Sequence, residues 1–141
     1  MLTGLHVILT GISLLCLGVG IGAGWICTIV APNVFYDKLD ASRANTQVRS
    51  LIYTGATPVA GVLLAAGACA ILAGAFGAGT LSLFAAIGFF LNRWTLAPHK
   101  RGEAPKGIRR RRTGQRMVAV GISLGSLALS LVAAGLVLFG V

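Results

Sequence analysis

Arginine forms the densest group of charged side chains in this sequence. Such a run can bind a polyanion: a nucleic acid, an acidic protein or the headgroups of anionic lipid. Segment 99–116 has no Phe, Trp or Tyr to stack on bases, and basic clusters beside an apolar span are typical of lipid contact. We therefore expect binding of anionic lipid, keep an acidic protein partner as the alternative, and expect no nucleic acid. The residues are Arg109, Arg110, Arg111, Arg112 and Arg116.

A second group of polar residues lies within otherwise apolar sequence. Asn92 and Arg93 end one apolar run, while Thr54 and Thr57 interrupt another. Polar side chains inside membrane spans are uncommon and often mark a substrate path. These four residues are therefore candidates for lining a polar, inward-facing cavity.

Arg93 and its neighbour Trp94 also have a simpler interpretation. If Arg93 lies about one turn inside the end of a span, its long side chain can reach the headgroup layer. Trp94 would then be an interfacial anchor, as tryptophan commonly is. The alternative is that Arg93 turns inward and pairs with Asp37 or Asp40. In both cases Arg93 and Trp94 are candidates for lipid or partner contact.

The residue types that serve enzymes and cofactors are poorly placed. Cys16, Cys27 and Cys69 have no CxxC spacing, so they fit neither a zinc site nor a disulfide framework. His6 and His99 would lie at opposite ends of a span, which excludes bis-histidine haem ligation within one chain. The apolar segments contain no Asp or Glu for a proton relay. We expect no catalytic site, no metal and no cofactor.

The composition is that of a membrane protein. Hydrophobic residues make up 56% of the chain and charged residues only 11%, whereas soluble domains carry about 25% charged residues. Lys, Arg, Asp and Glu are absent from residues 1–36, 50–92 and 117–141. These three blocks are long enough to cross a bilayer, since a span needs about 20 apolar residues.

The middle block is long enough for two spans joined by a glycine-rich turn at Gly74–Thr80. Backbone groups in lipid must be satisfied internally, so apolar segments of this length are helices. The sequence predicts an all-α integral membrane protein: one domain, residues 1–141, forming a four-transmembrane-helix bundle. The predicted spans are about 4–31, 51–73, 81–98 and 117–139, with cytoplasmic loops at 32–50 and 99–116.

The charges predict the orientation of this bundle. The first loop carries a net charge of +1 and residues 93–116 carry +8, which together make the chain's +9. Short basic loops stay in the cytoplasm, so we expect both termini on the non-cytoplasmic side and the first span to be retained. Aromatic residues that would anchor the cytoplasmic ends of the spans are Trp25, Tyr36, Tyr53 and Trp94.

Glycine spacing indicates where helices approach closely. Gly18 and Gly22 form a GxxxG motif in the first span, and Gly121 and Gly125 form one in the last. Helix association in lipid depends on such small residues. The two alternatives are packing within this chain and a seam for another subunit.

The loop after the first span has its own pattern. Asp40 is placed to cap a helix that begins near Ala41. The motif APNVF, residues 31–35, follows a glycine-rich first helix, and Asn92 is followed by Pro98. In these features the chain resembles a family of uncharacterised four-span membrane proteins, a domain of unknown function of the transmembrane-protein-205-like group. That resemblance implies fold and membrane location but no chemistry, and the arginine-rich segment is not part of its pattern.

Two functional hypotheses follow. The favoured one is a non-catalytic accessory, assembly or stabilising subunit of a larger membrane complex, contacting anionic lipid and either other membrane subunits or copies of itself. The competitor is a small transporter or channel with its cavity near Asn92 and Arg93. The compact length and the abundance of Ala, Gly and Arg lead us to expect a bacterial inner membrane.

Overall fold

A computed structural model of the chain describes residues 2–96 and 108–140. For residues 2, 3, 41, 95, 96 and 108–117 the description covers the backbone alone. All regular structure in the described ranges is helical. A π-helical turn, Ile26–Val30, separates the first two α-helices. The α-helices are α1, Leu2–Trp25; α2, Ala31–Lys38; α3, Ala41–Leu72; α4, Phe76–Leu96; and α5, Ile108–Phe139.

Four helical segments in the described ranges are long and apolar enough to cross a membrane. They are Gly4–Lys38, Ser42–Leu72, Phe76–Trp94 and Val118–Phe139. This confirms four helices that are long and apolar enough to span a membrane, whereas the predicted boundaries differ from those of the helices. The first span continues through the π-helical turn into α2, where Pro32 has no N–H to donate and a wider turn accommodates its ring.

Residues 32–50, predicted as the connecting loop, are nearly all helical, and the helix predicted to begin near Ala41 is confirmed. Only Leu39 and Asp40 separate α2 from α3. Asp40 occupies the N-cap position before Ala41, as predicted, but its side chain makes no capping hydrogen bond. Helix α3 starts this early because Ala44, Val48 and Ile52 recur at helical spacing and are buried. The first charged residues therefore do not mark the end of a helix.

The turn between α3 and α4 is shorter than the predicted Gly74–Thr80 segment. Helix α4 begins at Phe76 and not at Leu81. Gly74 has a φ of +81°, its N–H donates to the carbonyl of Ile71, and that of Ala75 donates to the carbonyl of Ala70. This is a Schellman motif, which glycine permits because it has no Cβ in the left-handed region.

Helix α5 is longer than the predicted last span, which was placed at 117–139. It starts at Ile108, so residues 108–116, including Gly114, are helical and not part of a loop. The rest of the predicted loop, 99–107, and the predicted end of the third span at Pro98 lie outside the described residues. Helix α4 is described to Leu96.

Each spanning helix packs against two neighbours, in the cyclic order α1, α3, α4, α5, and α5 meets α1 least extensively. Buried residues recur at intervals of three and four on every span, the spacing of knobs-into-holes packing. On α1 they include Ser13, Leu17, Gly20 and Gly24; on α3, Ala56, Val59, Leu63, Ala66 and Ala70; on α4, Ala78, Ser82, Ala85, Phe89 and Asn92; and on α5, Ser123, Ser126, Ser130, Ala133 and Val137.

The four spans have level ends at one side of the bundle only. Near the α3–α4 turn, a cleft of about 280 Å³ is lined by His6 of α1, Gly74 of the turn and Gly140 after α5. Helix α4, with 21 residues, is about 31 Å long, whereas α3 and α5, with 32 each, are about 48 Å long. Helices α3 and α5 therefore extend beyond Leu96, the last described residue of α4, and there Val48, Ile52 and Ala119 form a second small core.

Candidate functional site

The end of α4 holds an arginine in a defined position against α3. One guanidinium nitrogen of Arg93, Nη1, donates a 2.8 Å hydrogen bond to Oγ1 of Thr57. The guanidinium carbon lies 5.5 Å from the centroid of the Tyr53 ring, within the range of a cation–π contact. Tyr53 and Thr57 are four residues apart and share one face of α3. Two groups on one face of α3 therefore hold the cation.

Neither of the two predicted arrangements describes Arg93 fully. It is exposed on the outside of the bundle, which agrees with a position at the lipid surface. Its contacts are lateral, to Thr57 and Tyr53, and the predicted pairing with Asp37 or Asp40 is wrong. Both carboxylates lie in the exposed segment around the junction of α2 and α3.

The two tryptophans point away from the bundle. Trp94 is 82% exposed and Trp25 is 51% exposed. Trp94 follows Arg93 directly in the last turns of α4, at the end of the apolar stretch Phe76–Trp94. An exposed indole at that position is suited to the headgroup layer, where one edge can donate a hydrogen bond while the ring stays in the apolar phase.

Asn92 has a different environment from its neighbour Arg93. It is completely buried, and its Nδ2 donates to Oγ of Ser123 on α5 across 2.5 Å. Such a bond between helices holds α4 against α5, because a polar side chain facing the bundle gains little by turning towards lipid. Asn92 therefore contributes to helix packing.

The predicted cavity of Asn92, Arg93, Thr54 and Thr57 is not formed by these residues. Arg93 and Thr57 are brought together, but on the exposed groove between α3 and α4. Asn92 points the other way, towards α5. Thr54 is exposed and donates to the carbonyl of Ser50 in its own helix. Adjacent helical positions differ by about 100° around the axis, so Asn92 and Arg93 cannot face one space together.

Buried serines form further links between the helices. The hydroxyl of Ser13 on α1 donates a 3.0 Å hydrogen bond to the carbonyl of Ala66, and that of Ser82 on α4 donates a 2.8 Å hydrogen bond to the carbonyl of Leu63. Both acceptors are on α3, so this helix receives bonds from both of its neighbours. Sequence analysis did not single out Ser82 or Ser123. The signal that could have found them is their place in the three-and-four spacing of small residues.

The four glycines predicted for helix packing lie on the outside of the bundle. Gly18, Gly22, Gly121 and Gly125 are exposed, and a Cβ added at any of them would meet nothing within 4 Å. The alternative that these motifs pack within the chain is therefore wrong.

Other glycines make the close approaches between helices. A Cβ at Gly24 would lie 2.7 Å from a methyl group of Leu127 and 3.1 Å from the Phe89 ring. One at Gly20 would lie 2.8 Å from a methyl group of Leu63. These two residues form the second GxxxG motif of α1, two positions out of phase with the first.

The remaining candidate residues are dispersed. All three cysteines are free thiols, and His6 lines the cleft at the opposite end from Arg93. No three His, Cys, Asp or Glu residues lie together as metal ligands in the described part of the chain. His99 and the side chains of Arg109, Arg110, Arg111, Arg112 and Arg116 lie outside the described residues; only the helical backbone of these five arginines is described.

Comparison of the chain with protein-family models, curated proteins and solved structures finds no match. The resemblance to the four-span family therefore stays a prediction.

Proposed function

We propose that the protein is a non-catalytic subunit of a larger membrane assembly, with an accessory, assembly or stabilising role. The observation that carries the proposal is the outward position of two GxxxG motifs, Gly18/Gly22 on α1 and Gly121/Gly125 on α5. A second transmembrane helix can approach a glycine pair closely enough for backbone contact, which is the main source of helix association in lipid.

The limited burial of α1 supports the same proposal. Only 22% of its most apolar stretch is buried within the chain, compared with 39% in α3 and in α4. Helices α1 and α5 are also the neighbours that contact each other least. The side of the bundle formed by these two helices thus has the most surface left for a partner.

The assembly we propose lies in a bacterial inner membrane, with the charged end of the bundle in the cytoplasm. Every charged side chain that the structure describes is at the end opposite the α3–α4 turn. Keeping Lys and Arg on the cytoplasmic side places both termini outside. The arginine-rich start of α5 would then contact anionic lipid at the inner leaflet, where each cation contributes about 1 kcal/mol of binding.

A small carrier or channel is the weaker alternative. This hypothesis required one polar cavity lined by Asn92, Arg93, Thr54 and Thr57. Instead, Asn92 points to α5. Arg93 bonds to Thr57 on the exposed side of α3, and Thr54 bonds within its own helix.

The mass of the particle in native lipid tests the proposal. The chain is extracted in nanodiscs formed directly from membranes, and the particle is compared with the 14.4 kDa chain. We expect a distinctly larger particle containing other membrane proteins. A stable, isolated monomer of the unaltered chain would overturn the proposal.

A pair of variants identifies the docking face. Gly18→Leu together with Gly22→Leu fills the outward face of α1, so we expect the partner to be lost while the bundle stays folded. The control is Gly61→Leu, which adds one leucine side chain at an exposed glycine of α3 that also has nothing within 4 Å. Retention of the partner in the α1 variant, or equal loss in the control, would exclude the α1 face as the docking site.

A further inference from the structure

The position of Arg93 raises the question of its counter-charge. Arg93 is 17 residues beyond Phe76, where α4 begins, and thus about 25 Å along a helix that crosses a hydrocarbon layer of about 30 Å. Thr57 holds the guanidinium sideways against α3 at this depth. In a span that begins at Phe76, the cation would lie about one turn short of the far edge of the hydrocarbon, on the exposed surface of the bundle.

The groups that hold Arg93 are both neutral. Thr57 accepts one of the five N–H donors of the guanidinium, and the ring of Tyr53 faces its carbon. Within the described residues no carboxylate pairs with Arg93. A guanidinium that is held sideways within the hydrocarbon, and not extended to the headgroups, is costly unless an anion or polar group compensates it. Thus the side chain has N–H donors left for an anion that arrives from the lipid side.

We propose that Arg93, held by Tyr53 and Thr57, binds the phosphate of one anionic phospholipid of the adjacent leaflet. The planar guanidinium can donate two parallel hydrogen bonds to phosphate oxygens. Fixing it against α3 orients those donors before the lipid arrives. A headgroup without an amine is favoured, because an ammonium group would neutralise the phosphate. Trp94 is the next residue along α4, and its indole is 82% exposed at the same end of the helix.

Trp94 also provides the measurement. The chain has two tryptophans, so a Trp25→Phe background leaves Trp94 as the only indole. Quenching of Trp94 by brominated phosphatidylglycerol, relative to brominated phosphatidylcholine, gives the selectivity for the anionic lipid at the site. We expect about a five-fold preference, from the typical contribution of one cation near the membrane surface.

Variants separate a bound headgroup from general charge attraction. Arg93→Gln should reduce the preference to about that of a neutral site. Arg43→Gln removes one exposed cation from the same end of the bundle, and this change should leave the preference for the anionic lipid nearly unchanged. Tyr53→Leu keeps the charge of Arg93 but removes the ring that holds it, so the preference should fall. An unchanged preference in Arg93→Gln, or an equal loss in Arg43→Gln, would overturn the proposal.

Two further measurements distinguish other anions from a lipid. Inorganic phosphate should not displace the brominated lipid at equal concentration; displacement would show that the site takes free phosphate and would overturn its assignment to lipid.

Besides Asp37 and Asp40, the chain has one other acidic residue, Glu103, which lies outside the described residues. Glu103→Gln should leave the preference unchanged, whereas an increase would show that Glu103 is the counter-ion of Arg93 and would overturn the proposal.

Discussion

Replacing Gly79 with alanine should destabilise the bundle, although alanine is the better helix former. Gly79 of α4 and Gly67 of α3 bring two helix backbones into contact near the turn. A Cβ at Gly79 would lie 3.1 Å from the carbonyl oxygen of Gly67 and 3.2 Å from the amide nitrogen of Ile71, and would also meet the Ile71 side chain. Ordinary contacts between heavy atoms are about 3.5–4.0 Å. Backbone atoms cannot rotate away, so the helices would have to separate.

The magnitude follows from two opposing terms. Excess volume in a packed core costs about 1–3 kcal/mol, while replacing glycine by alanine within a helix stabilises it by about 0.5–1 kcal/mol. The second term can be removed by comparison with Gly61→Ala, also within a spanning helix, where a Cβ meets nothing within 4 Å. The difference between the two variants should therefore be the steric term alone, about 1–3 kcal/mol, with Gly61→Ala at least as stable as the unaltered chain.

The free energy of unfolding can be measured by titrating SDS into the protein in a mild detergent and following helicity by circular dichroism. Gly79→Ala should unfold at lower SDS than the unaltered chain, and Gly61→Ala at the same or higher SDS. Equal midpoints for the two variants would refute the reasoning, since they would mean that the close approach of α3 and α4 does not constrain this position.

Two other predictions concern orientation and the buried polar pair. In a cysteine-free background, Cys at Gly77 should react with an impermeant maleimide in intact cells, whereas Cys at Ser42 should react only after lysis; the reverse pattern would contradict the proposed orientation. For Asn92 and Ser123, which are hydrogen bonded, a double-mutant cycle with alanine should give a coupling free energy of about 0.6 to 1.7 kcal/mol. A coupling near zero by SDS titration would show that this bond does not hold α4 to α5.

The number of spans could be predicted from the sequence because the charges are confined to a few windows. The full length of each helix could not be predicted in this way, because apolarity indicates only the part of a helix that would lie inside lipid. Residues 41–50 are polar overall, but Ala44 and Val48 continue the buried face of α3 towards Ile52. That spacing agrees with the helix predicted to begin near Ala41, whereas apolarity alone predicts a start near residue 51. The start of α5 at Ile108 had no comparable signal, since its first turns are mostly arginine.

The candidate site was only partly predictable. Depth can be counted along a helix, and the count predicts that Arg93 and Trp94 lie near one end of a span; in the structure they end the apolar stretch Phe76–Trp94. Rotation about the helix axis cannot be obtained from one helix alone, because it depends on which neighbours pack where. For this reason Asn92 was grouped with Arg93, although Asn92 faces α5 and Arg93 contacts α3. To predict that Arg93 contacts Tyr53 and Thr57, one must know how α3 and α4 align.

The glycines of α1 carry an energetic argument for a partner outside the chain. Gly18/Gly22 and Gly20/Gly24 are two positions apart, so they lie about 200° apart around the helix and cannot both face the core. Gly20 and Gly24 are closely packed against other side chains, which compensates for the helix stability that each glycine costs, about 0.5–1 kcal/mol. Gly18 and Gly22 have the same cost, and a Cβ added at either would meet nothing within 4 Å. A second helix docked on that face would provide the compensation that lipid chains, which form no complementary ridge, do not.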